Sequence, residues 1–432
     1  MSDVTQPWPA PHAGDSPVSG RVEVPGSKSL TNRWLVLGAL GAEPTTLRGA
    51  LLARDTRLMI SGLRAMGSRI SATGTTVKVE PTGRFTGSPR IDCGLAGTVM
   101  RFLPPVAALA DGAVTFDGDP RARERPLAPL ADALVQLGVA VAGTSLPLTV
   151  TGAGGVGGDT ATIDSSASSQ FVSGLLLSAP RFDDGLQLRH RGAALPSLPH
   201  IEMTVDLLRS RGVEVTADTS DPTDCRWRVV PGPIRGGDVT IEPDLSNAGA
   251  FLAAAMVTAG EVTIPGWPHR TTQAGDQLRD LFTAMGARLR RNADDSLTLV
   301  GPPDGPAGIT ADLSDVGELL PTVTAVAALA TSPSRFAGLG HVRGHETDRL
   351  AALAAELRRL GGDVEELPDG LVIRPRPLTG AVVECYHDHR MATFGAILGL
   401  RVPNLALSDV ATTAKTMPGF ESSWTALVTP DA

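Results

Sequence analysis

Lysine is the rarest charged residue of this chain. Only Lys28, Lys78 and Lys415 occur among its 38 lysines and arginines, in a total of 432 residues. Arginine often replaces lysine on a surface, but a guanidinium that stays charged cannot replace a compact, titratable ammonium at a reaction centre. The three lysines are therefore candidates for function. Lys78, within the strand-like VKVEP, is the one whose surroundings indicate an ordinary surface residue.

Cysteine pairs, long apolar runs and an excess of positive charge are also absent. The three cysteines lie far apart and are odd in number, which predicts reduced thiols and a cytoplasmic location. No run approaches the roughly 18 apolar residues of a membrane-spanning helix, and the polar, proline-rich first twenty residues do not have the pattern of a signal peptide. A net charge of −8 argues against a general nucleic-acid surface. We therefore expect neither membrane nor nucleic acid as a partner.

A helix-end pattern, an apolar residue four positions before a glycine, recurs along the chain at even spacing. Each glycine is predicted to end a helix in a left-handed cap, and each is followed by a strand-like run such as VKVEP or LTVTG. The pattern reads LRAMG, LVQLG, LRSRG, FTAMG and LRRLG, ending at Gly67, Gly138, Gly212, Gly286 and Gly361, so that the differences are 71, 74, 74 and 75 residues. Such spacing indicates internal repeats.

A second series of six helical segments lies between these glycines. They begin near KSLTNR, AGTVMR, SSQFVS, SNAGAF, GELLPT and DHRMAT, and 432 divided by six is 72. The sequence therefore predicts six repeats, of which the sixth lacks its glycine and closing strand. We expect RVEVP at residues 21–25 to complete the sixth repeat, which puts both termini in one domain. The predicted domains are 1–25 plus 244–432, and an inserted domain 26–243, each with three repeats.

The starts of the six helices carry polar and cationic residues. Lys28 and Arg390 stand at two of them, and serine or Gly-Thr at several others, while Arg125 and Arg349 lie in the motifs GDPRARERP and HETDRL. A helix amino terminus presents unsatisfied N–H groups and a partial positive charge, which favour anions. We infer an anionic ligand with several phosphate or carboxylate groups.

Other common sites do not fit the sequence. VPGSKS is not a P-loop, because Ser27 separates Gly26 from Lys28. No G-x-S-x-G motif supports a serine hydrolase. Histidines that could bind a metal have no cysteine pair or HExxH motif beside them, and we expect them to be structural; they are His341, His345, His387 and His389.

Seven motifs together resemble one family. In chain order they are VPGSKSLTNR, LAGTVMRF, DGDPRARERP, SSASSQF, HETDRL, DHRMA and TAKTMPGF, and over nearly its whole length the chain resembles the 5-enolpyruvylshikimate-3-phosphate synthase family of enolpyruvyl transferases. The resemblance implies an α/β fold of two domains, an inside-out α/β barrel with three βαβαββ repeats per domain and an active site in the interdomain cleft. It implies transfer of the enolpyruvyl group of phosphoenolpyruvate to the 5-hydroxyl of 3-phosphoshikimate, without metal or cofactor, and a monomer is expected.

The same resemblance implies roles for individual residues. The catalytic residues it implies are Lys28, Glu318, Glu346 and Lys415. The phosphoenolpyruvate-binding residues are Lys28, Gly97, Arg125, Gln170, Arg349, Arg390 and Lys415. The residues for 3-phosphoshikimate are Lys28, Ser29, Arg33, Ser168, Ser169, Gln170, Ser197, Glu318, His341 and His345. Asp55 and Asp388 match carboxylates that orient the cationic side chains.

Some positions depart from the common family pattern. Glu318 stands where an aspartate base is usual, and His341 and His345 stand where asparagine and lysine are usual. Since histidine titrates near neutrality, contacts made by His345 are expected to depend on pH. The remaining departures are His200 for tyrosine, Leu95 for asparagine and Phe102 for proline.

Two alternatives stay open at this point. UDP-N-acetylglucosamine enolpyruvyl transferase shares the fold and chemistry but carries a cysteine in the loop that reads DPRARERP here, where no cysteine lies between Cys93 and Cys225. A non-catalytic, anion-binding repeat protein would need neither the lysines nor the glutamates. The residues that argue against it are Lys28, Arg125, Glu318, Glu346, Arg390 and Lys415.

Overall fold

The computed structural model describes residues 6–429. Packing separates two compact units: Gly26–Ile241, called the central unit below, and the described residues before Gly26 and after Ile241, called the terminal unit. The sequence analysis predicts that the chain returns from the inserted domain to the discontinuous domain after residue 243. The chain leaves the central unit two residues earlier. The N–H of Ile241 still donates to the backbone oxygen of Arg48 in the central unit, whereas the N–H of Asp244 donates to the backbone oxygen of Pro25 in the terminal unit.

Helices and short strands follow one another in a recurring order along the chain. The first strands are β1 (Trp8–Pro9) and β2 (Ser19–Arg21). The central unit holds α1 (Lys28–Leu40), β3 (Thr45–Arg48), α2 (Arg54–Ala65), β4 (Ile70–Thr73), β5 (Thr76–Val79), β6 (Phe85–Asp92), α3 (Gly97–Ala107), β7 (Ala110–Asp117), α4 (Pro120–Arg123), α5 (Ala128–Gln136), β8 (Ala140–Ala142), β9 (Leu148–Ala153), β10 (Thr160–Ile163), α6 (Gln170–Ser178), β11 (Leu186–His190), α7 (Leu198–Ser210), β12 (Val215–Asp218), β13 (Arg226–Val229) and β14 (Gly237–Thr240).

The rest of the terminal unit follows the same recurring order. It holds α8 (Leu245–Thr258), β15 (Glu261–Ile264), α9 (Leu278–Ala284), β16 (Arg288–Arg291), β17 (Leu297–Val300), β18 (Thr310–Asp312), α10 (Leu320–Ala328), β19 (Ser334–Ala337), α11 (Arg349–Arg359), β20 (Asp363–Leu367), β21 (Gly370–Arg374), β22 (Val382–Val383), α12 (His389–Gly399), β23 (Ala406–Leu407) and α13 (Phe420–Val428). Short 3-10 helices cover Ala179–Arg181, Ala274–Gln277, Gly317–Leu319, Gly340–Gly344 and Val410–Lys415.

Six small sheets have one common pattern. Around α3, α6 and α10, the strand before the helix pairs in parallel with the strand after it, and a hairpin adds two antiparallel strands. The sheets of the α1 and α8 repeats have the same arrangement, but their outer parallel strands, β14 and β2, come from distant parts of the chain. The orders are β14-β3-β5-β4, β6-β7-β9-β8 and β10-β11-β13-β12 in the central unit, and β16-β17-β15-β2, β18-β19-β21-β20 and β1-β23-β22 in the terminal unit. The predicted βαβαββ repeat is therefore confirmed in its strand and helix order.

The glycine pattern is confirmed at all five positions. The φ angles run from 82° at Gly138 to 102° at Gly67, all in the left-handed region. A residue without a Cβ enters this region without steric cost, which is why glycine ends these helices. The five strand-like runs after the glycines are the strands β5, β9, β13, β17 and β21.

The prediction for RVEVP is wrong. Ser19–Arg21 forms β2, which pairs in parallel with β15 of the fourth repeat, and residues 22–25 are not in a strand. The sixth repeat is closed instead by β1, which runs antiparallel to β23 with Trp8 opposite Leu407. The amino-terminal segment thus completes two repeats, and the sixth sheet has three strands among the described residues.

Burial of the first helix in each repeat positions the functional residues. From Leu30 to Leu40 every residue of α1 is buried, and in α8 every residue from Asn247 to Thr258 is buried. A helix that is buried on all sides tolerates polar side chains mainly at its ends. The two units have separate hydrophobic cores, each formed around these helices. Within residues 6–429, no helix combines the length and the apolarity that a bilayer crossing requires.

The left-handed caps can be tested at Gly138. Its φ is 82° and a Cβ built there meets nothing within 4 Å, so Gly138→Ala changes only the backbone preference. We expect the free energy of unfolding to fall by about 1 kcal/mol, measured by urea denaturation. Gly83→Ala is the matched control, because a Cβ there is also unobstructed and no positive φ is imposed. Equal effects of both changes would contradict the cap assignment.

Candidate active site

Lys28 is the first residue of α1, and its ammonium faces a buried carboxylate. Ser27 caps the helix by accepting a hydrogen bond from the N–H of Leu30 at 3.4 Å. Lys28 Nζ lies 3.5 Å from Asp55 Oδ2, and the Asp55 side chain is 1% exposed. The other oxygen of Asp55 accepts two hydrogen bonds from Arg54, at 3.2 Å each. Asp55 therefore holds both cations at the start of α2.

Polar side chains surround Gly97 at the start of α3. A Cβ on Gly97 would lie 2.9 Å from Gln170 Oε1, 3.0 Å from Arg101 and 3.1 Å from Arg125. Arg125 is buried and donates to the backbone oxygen of Leu95 at 3.1 Å. Three helices, α3, α4 with its following turn and α6, thus bring two guanidinium groups and an amide to one glycine. The arrangement suits a small anion that approaches the backbone closely.

The sequence analysis did not identify Arg101 as a member of this group. Arg101 donates to the carbonyl oxygens of Gly97 and Pro126 and lies over the ring of Phe171, 5.6 Å from its centroid. It connects α3 to the segment that carries Arg125 and to α6. Its position four residues after Gly97, on the same helix face, was the available signal.

The serine-rich segment before α6 and the start of α7 supply hydroxyl groups. Ser168 Oγ accepts from the N–H of Gln170 at 3.3 Å, and Ser169 is buried next to it. Ser197, buried at the start of α7, has a φ of 55°. A non-glycine residue in the left-handed region is uncommon and is held there by its surroundings.

Arg33 is bound entirely within the central unit. Its guanidinium donates to Thr204 Oγ1 and the backbone oxygen of His200 at 2.8 Å each, and to the backbone oxygen of Ser29 at 3.1 Å. Only 2% of the residue is exposed. Burial without a carboxylate partner lowers the pKa of Arg33 to about 9. In this structure Arg33 fixes Ser29 and α7 rather than reaching the surface.

The terminal unit contains a buried network of charges at the starts of α11 and α12. Arg349 donates to Asp388 through Nε at 2.8 Å and through a terminal nitrogen at 3.2 Å, and also to Glu346 at 3.2 Å. The second oxygen of Glu346 lies 2.5 Å from Lys415 Nζ. Burial opposes the charge of Arg349, but the carboxylates of Asp388 and Glu346 raise its pKa above the ordinary value.

Asp388 also fixes the second arginine of this network. It caps α12 by accepting from the N–H of Arg390 at 2.9 Å. Burial and the neighbouring charge of Arg349 lower the pKa of Arg390, against the attraction of nearby carboxylates that include Glu318 and Asp244. A site that lowers the pKa of a cation in this way is ready for an anion, because a bound anion favours the charged form.

Two histidines connect Glu318 to this network. The rings of His341 and His345 meet edge to face with centroids 5.7 Å apart, and His345 Nδ1 lies 3.1 Å from Arg349. Burial lowers the pKa of His341 below its ordinary value, while the charge of Glu318 opposes this shift. His341 Nε2 is packed against Gly317, where a Cβ would lie 2.5 Å away.

The predicted site residues therefore lie in two groups, one in each unit. The terminal unit brings together Glu318, His341, His345, Glu346, Arg349, Asp388, Arg390 and Lys415. The central unit holds Lys28, Ser29, Arg33, Asp55, Gly97, Arg125, Ser168, Ser169, Gln170 and Ser197. Within residues 6–429, no group of three or more histidine, cysteine, aspartate or glutamate side chains could hold a metal ion.

Solved structures of enolpyruvyl transferases share this fold. An EPSP synthase from Acinetobacter baumannii matches with a TM-score of 0.78 and 22% identity, covering 96% of each chain. The enolpyruvyl transferase NikO from Streptomyces tendae matches with a TM-score of 0.72 and 18% identity, covering 98% of this chain and 97% of that one. The chain therefore has the fold of the enolpyruvyl transferases.

Sequence comparison defines the family more closely. The EPSP synthase (3-phosphoshikimate 1-carboxyvinyltransferase) family matches residues 12–424. A 3-phosphoshikimate 1-carboxyvinyltransferase from Kocuria rhizophila is 53% identical, over 98% of this chain and 96% of the relative. The enzyme of the same name from Mycobacterium ulcerans is 52% identical over 99% of both chains. The chain belongs to the EPSP synthase family.

The buried charge network can be tested at Asp388. Asp388 is fully buried and Arg349 is 2% exposed, so Asp388→Asn leaves a buried guanidinium with less compensation. We expect the free energy of unfolding to fall by about 3 kcal/mol, measured by urea denaturation. Glu365→Gln, which removes the exposed partner of Arg374, is the control and should have little effect. A small loss at both sites would contradict the proposed importance of the Asp388 charge.

The lowered pKa of His341 predicts a dependence of stability on pH. Below about pH 6.5 the unfolded chain binds a proton at His341 more readily than the folded protein does. Its contribution to stability is therefore present above that pH and is lost as the pH falls through the lower folded pKa. Between neutral and mildly acidic pH, we expect the melting temperature of His341→Gln to fall less than that of the wild type. His387→Gln, at an exposed histidine, should follow the wild type; parallel curves for His341→Gln and the wild type would refute the assignment.

Proposed function

We propose that this chain transfers the enolpyruvyl group of phosphoenolpyruvate to the 5-hydroxyl of 3-phosphoshikimate and releases inorganic phosphate. The product is 5-enolpyruvylshikimate-3-phosphate, on the shikimate route to chorismate and the aromatic amino acids. Membership of the EPSP synthase family over residues 12–424 supports the reaction. The observation that carries catalysis rather than binding alone is the buried contact of Lys415 with Glu346 at 2.5 Å, beside the arginines of the terminal unit.

The reaction is an addition followed by an elimination. In the addition, the 5-hydroxyl oxygen bonds to C2 of phosphoenolpyruvate while C3 takes a proton, which gives a tetrahedral intermediate. In the elimination, C3 returns a proton, the bond from C2 to the phosphate oxygen breaks and phosphate leaves. The enzyme must therefore supply an acid and a base and must stabilise dense negative charge.

The proposed acid and base groups come from both units. Glu318 accepts the proton of the 5-hydroxyl. Glu346 and Lys415, which share a short hydrogen bond, serve the proton transfers at C3, and Lys28 acts as a further acid or base beside the phosphoenolpyruvate. A lysine ammonium is a titratable acid, whereas the guanidinium of Arg349, which also donates to Glu346, stays charged.

Phosphoenolpyruvate is assigned to the cationic side chains. Arg125 and Gln170 beside Gly97, together with Lys28, bind it from the central unit, and Arg349, Arg390 and Lys415 bind it from the terminal unit. The guanidinium fork matches both carboxylate and phosphate. The close approach of three polar atoms to the Gly97 Cα supports this, because a side chain there would occupy the space of the ligand.

The acceptor, 3-phosphoshikimate, is assigned to hydroxyl and imidazole groups. Ser168, Ser169, Gln170 and Ser197 bind its phosphate with helix-start amides, and Lys28 and Ser29 add contacts, with Arg33 acting through Ser29. In the terminal unit, contacts with 3-phosphoshikimate are assigned to Glu318, His341 and His345. His345 Nδ1 lies 3.1 Å from Arg349, which supports a place for this imidazole beside the phosphoenolpyruvate-binding arginines.

We propose a cytoplasmic monomer. Cys93, Cys225 and Cys385 are buried free thiols, and burial raises the pKa of Cys93 to about 12 and that of Cys385 to about 11, so both stay protonated. Unreactive thiols of this kind suit a reducing compartment.

Phosphate release tests the proposal directly. Purified protein with phosphoenolpyruvate and 3-phosphoshikimate should release inorganic phosphate, and Lys28→Ala should lower kcat by about 10²- to 10⁴-fold. Lys78→Ala is the matched control, because Lys78 is an exposed residue of β5 and is not one of the proposed site residues. Its activity should equal that of the wild type.

The acceptor identifies the reaction. With UDP-N-acetylglucosamine in place of 3-phosphoshikimate, no phosphate should appear. Release with that acceptor alone would assign the chain to the related transferase, and release with neither would mean that the site only binds anions.

A further inference from the structure

His190 occupies a position between two segments that carry proposed acceptor ligands. It is the last residue of β11, fully buried, and pairs in the sheet with Ile163 at the end of β10. Its Nδ1 accepts a hydrogen bond from the N–H of Ser165 at 3.1 Å. Its Nε2 lies 3.0 Å from the backbone oxygen of Ala193. One imidazole therefore contacts the chain on both sides of the sheet end.

These two contacts define a single protonation state of the ring. The N–H of Ser165 can only donate, so Nδ1 carries no proton, and the oxygen of Ala193 can only accept, so Nε2 carries one. His190 is thus a neutral imidazole with a donor aimed at one segment and an acceptor at the other.

Each segment leads directly to proposed ligands of the acceptor phosphate. Ser165 accepts from the N–H of Ser168 at 3.0 Å through its backbone oxygen, and Ser168 Oγ accepts from the N–H of Gln170. Four residues after Ala193 the second segment reaches Ser197, in its left-handed conformation at the start of α7. A shift at Ser165 or Ala193 would move hydroxyl groups that must meet one phosphate.

The two segments are also in direct contact. Ser166 Oγ donates to the backbone oxygen of Ala193 at 3.0 Å. A Cβ on Gly192 would lie 2.4 Å from Asp164 Oδ1, so only glycine lets the segments approach this closely. His190, the last residue of β11, connects both segments to the paired strands β10 and β11 through its two hydrogen bonds.

We infer that His190 is a positioning residue that holds the serine segment and the start of α7 at the spacing that binds the phosphate of 3-phosphoshikimate. The inference rests on the proposed function. Since the imidazole does not touch the ligand, its loss should weaken acceptor binding and leave phosphoenolpyruvate binding largely intact. Residues that support binding groups in this way commonly change affinity by about 10- to 100-fold.

The test measures acceptor binding with three variants that divide the two contacts. His190→Phe keeps the ring but removes both hydrogen bonds, His190→Asn keeps an acceptor near Nδ1, and His190→Gln keeps a donor near Nε2. Calorimetry gives the Kd for 3-phosphoshikimate and for shikimate, and steady-state kinetics give the KM for phosphoenolpyruvate at saturating acceptor. His12→Phe is the control, since His12 Nδ1 lies 3.1 Å from a backbone oxygen of the terminal unit.

We expect His190→Phe to raise the Kd for 3-phosphoshikimate by about tenfold or more, and the Asn and Gln variants to fall between it and the wild type. The Kd for shikimate and the KM for phosphoenolpyruvate should change little, and His12→Phe should behave as the wild type. Wild-type affinity in all three variants would overturn the inference, even if they melt at lower temperature. Equal losses for both acceptors would overturn it as well, because the phosphate would then not be involved. A wild-type protein that neither binds 3-phosphoshikimate nor releases phosphate would instead refute the proposed function.

Discussion

Nearly complete burial of the first helix in each repeat is the constraint on which the rest of the structure depends. Helices such as α1 and α8 pack on all sides, so apolar and small residues fill their length. Charged side chains of these helices then lie within their first two turns, near the unsatisfied N–H groups and the positive end of the helix dipole, which favour anions. Lys28, Gly97, Gln170 and Arg390 all lie at such starts. The repeated fold therefore places the proposed anion-binding groups at equivalent points of its repeats.

Burial of a cation is unfavourable because it removes water from the charge, and nearby carboxylates of the same unit compensate for this loss. Asp55, at the start of α2, faces Lys28. Asp388 accepts two hydrogen bonds from Arg349 and also caps α12 by accepting from the backbone N–H of Arg390. Buried ion pairs are stable only when their remaining hydrogen bonds are satisfied. Arg33 solves the same problem differently, with backbone and hydroxyl oxygens as its partners and a lowered pKa as the result.

A structural feature could be predicted from the sequence when it depends on residues that are close together in the chain. The left-handed caps at Gly67 and its four equivalents follow from the conformational freedom of glycine, which acts within one turn. The strand that completes the sixth sheet could not be predicted in this way, because strand pairing joins residues that are distant in sequence. Trp8–Pro9, and not RVEVP, occupies that place. His190 shows the same limit within the site: its function depends on Ser165 and Ala193, which the end of β11 brings within 3.1 Å on either side of one ring.

The scarcity of lysine now has a physical explanation at two of its three positions. Arginine serves wherever a permanent charge is needed, as at Arg349 with its two carboxylates. At position 415 the ammonium lies 2.5 Å from Glu346 Oε1 and is almost fully buried. A guanidinium at this position would stay protonated, whereas an ammonium is titratable. The exchange of lysine for arginine along this chain therefore stops where the proposed reaction requires a group that can give up its proton.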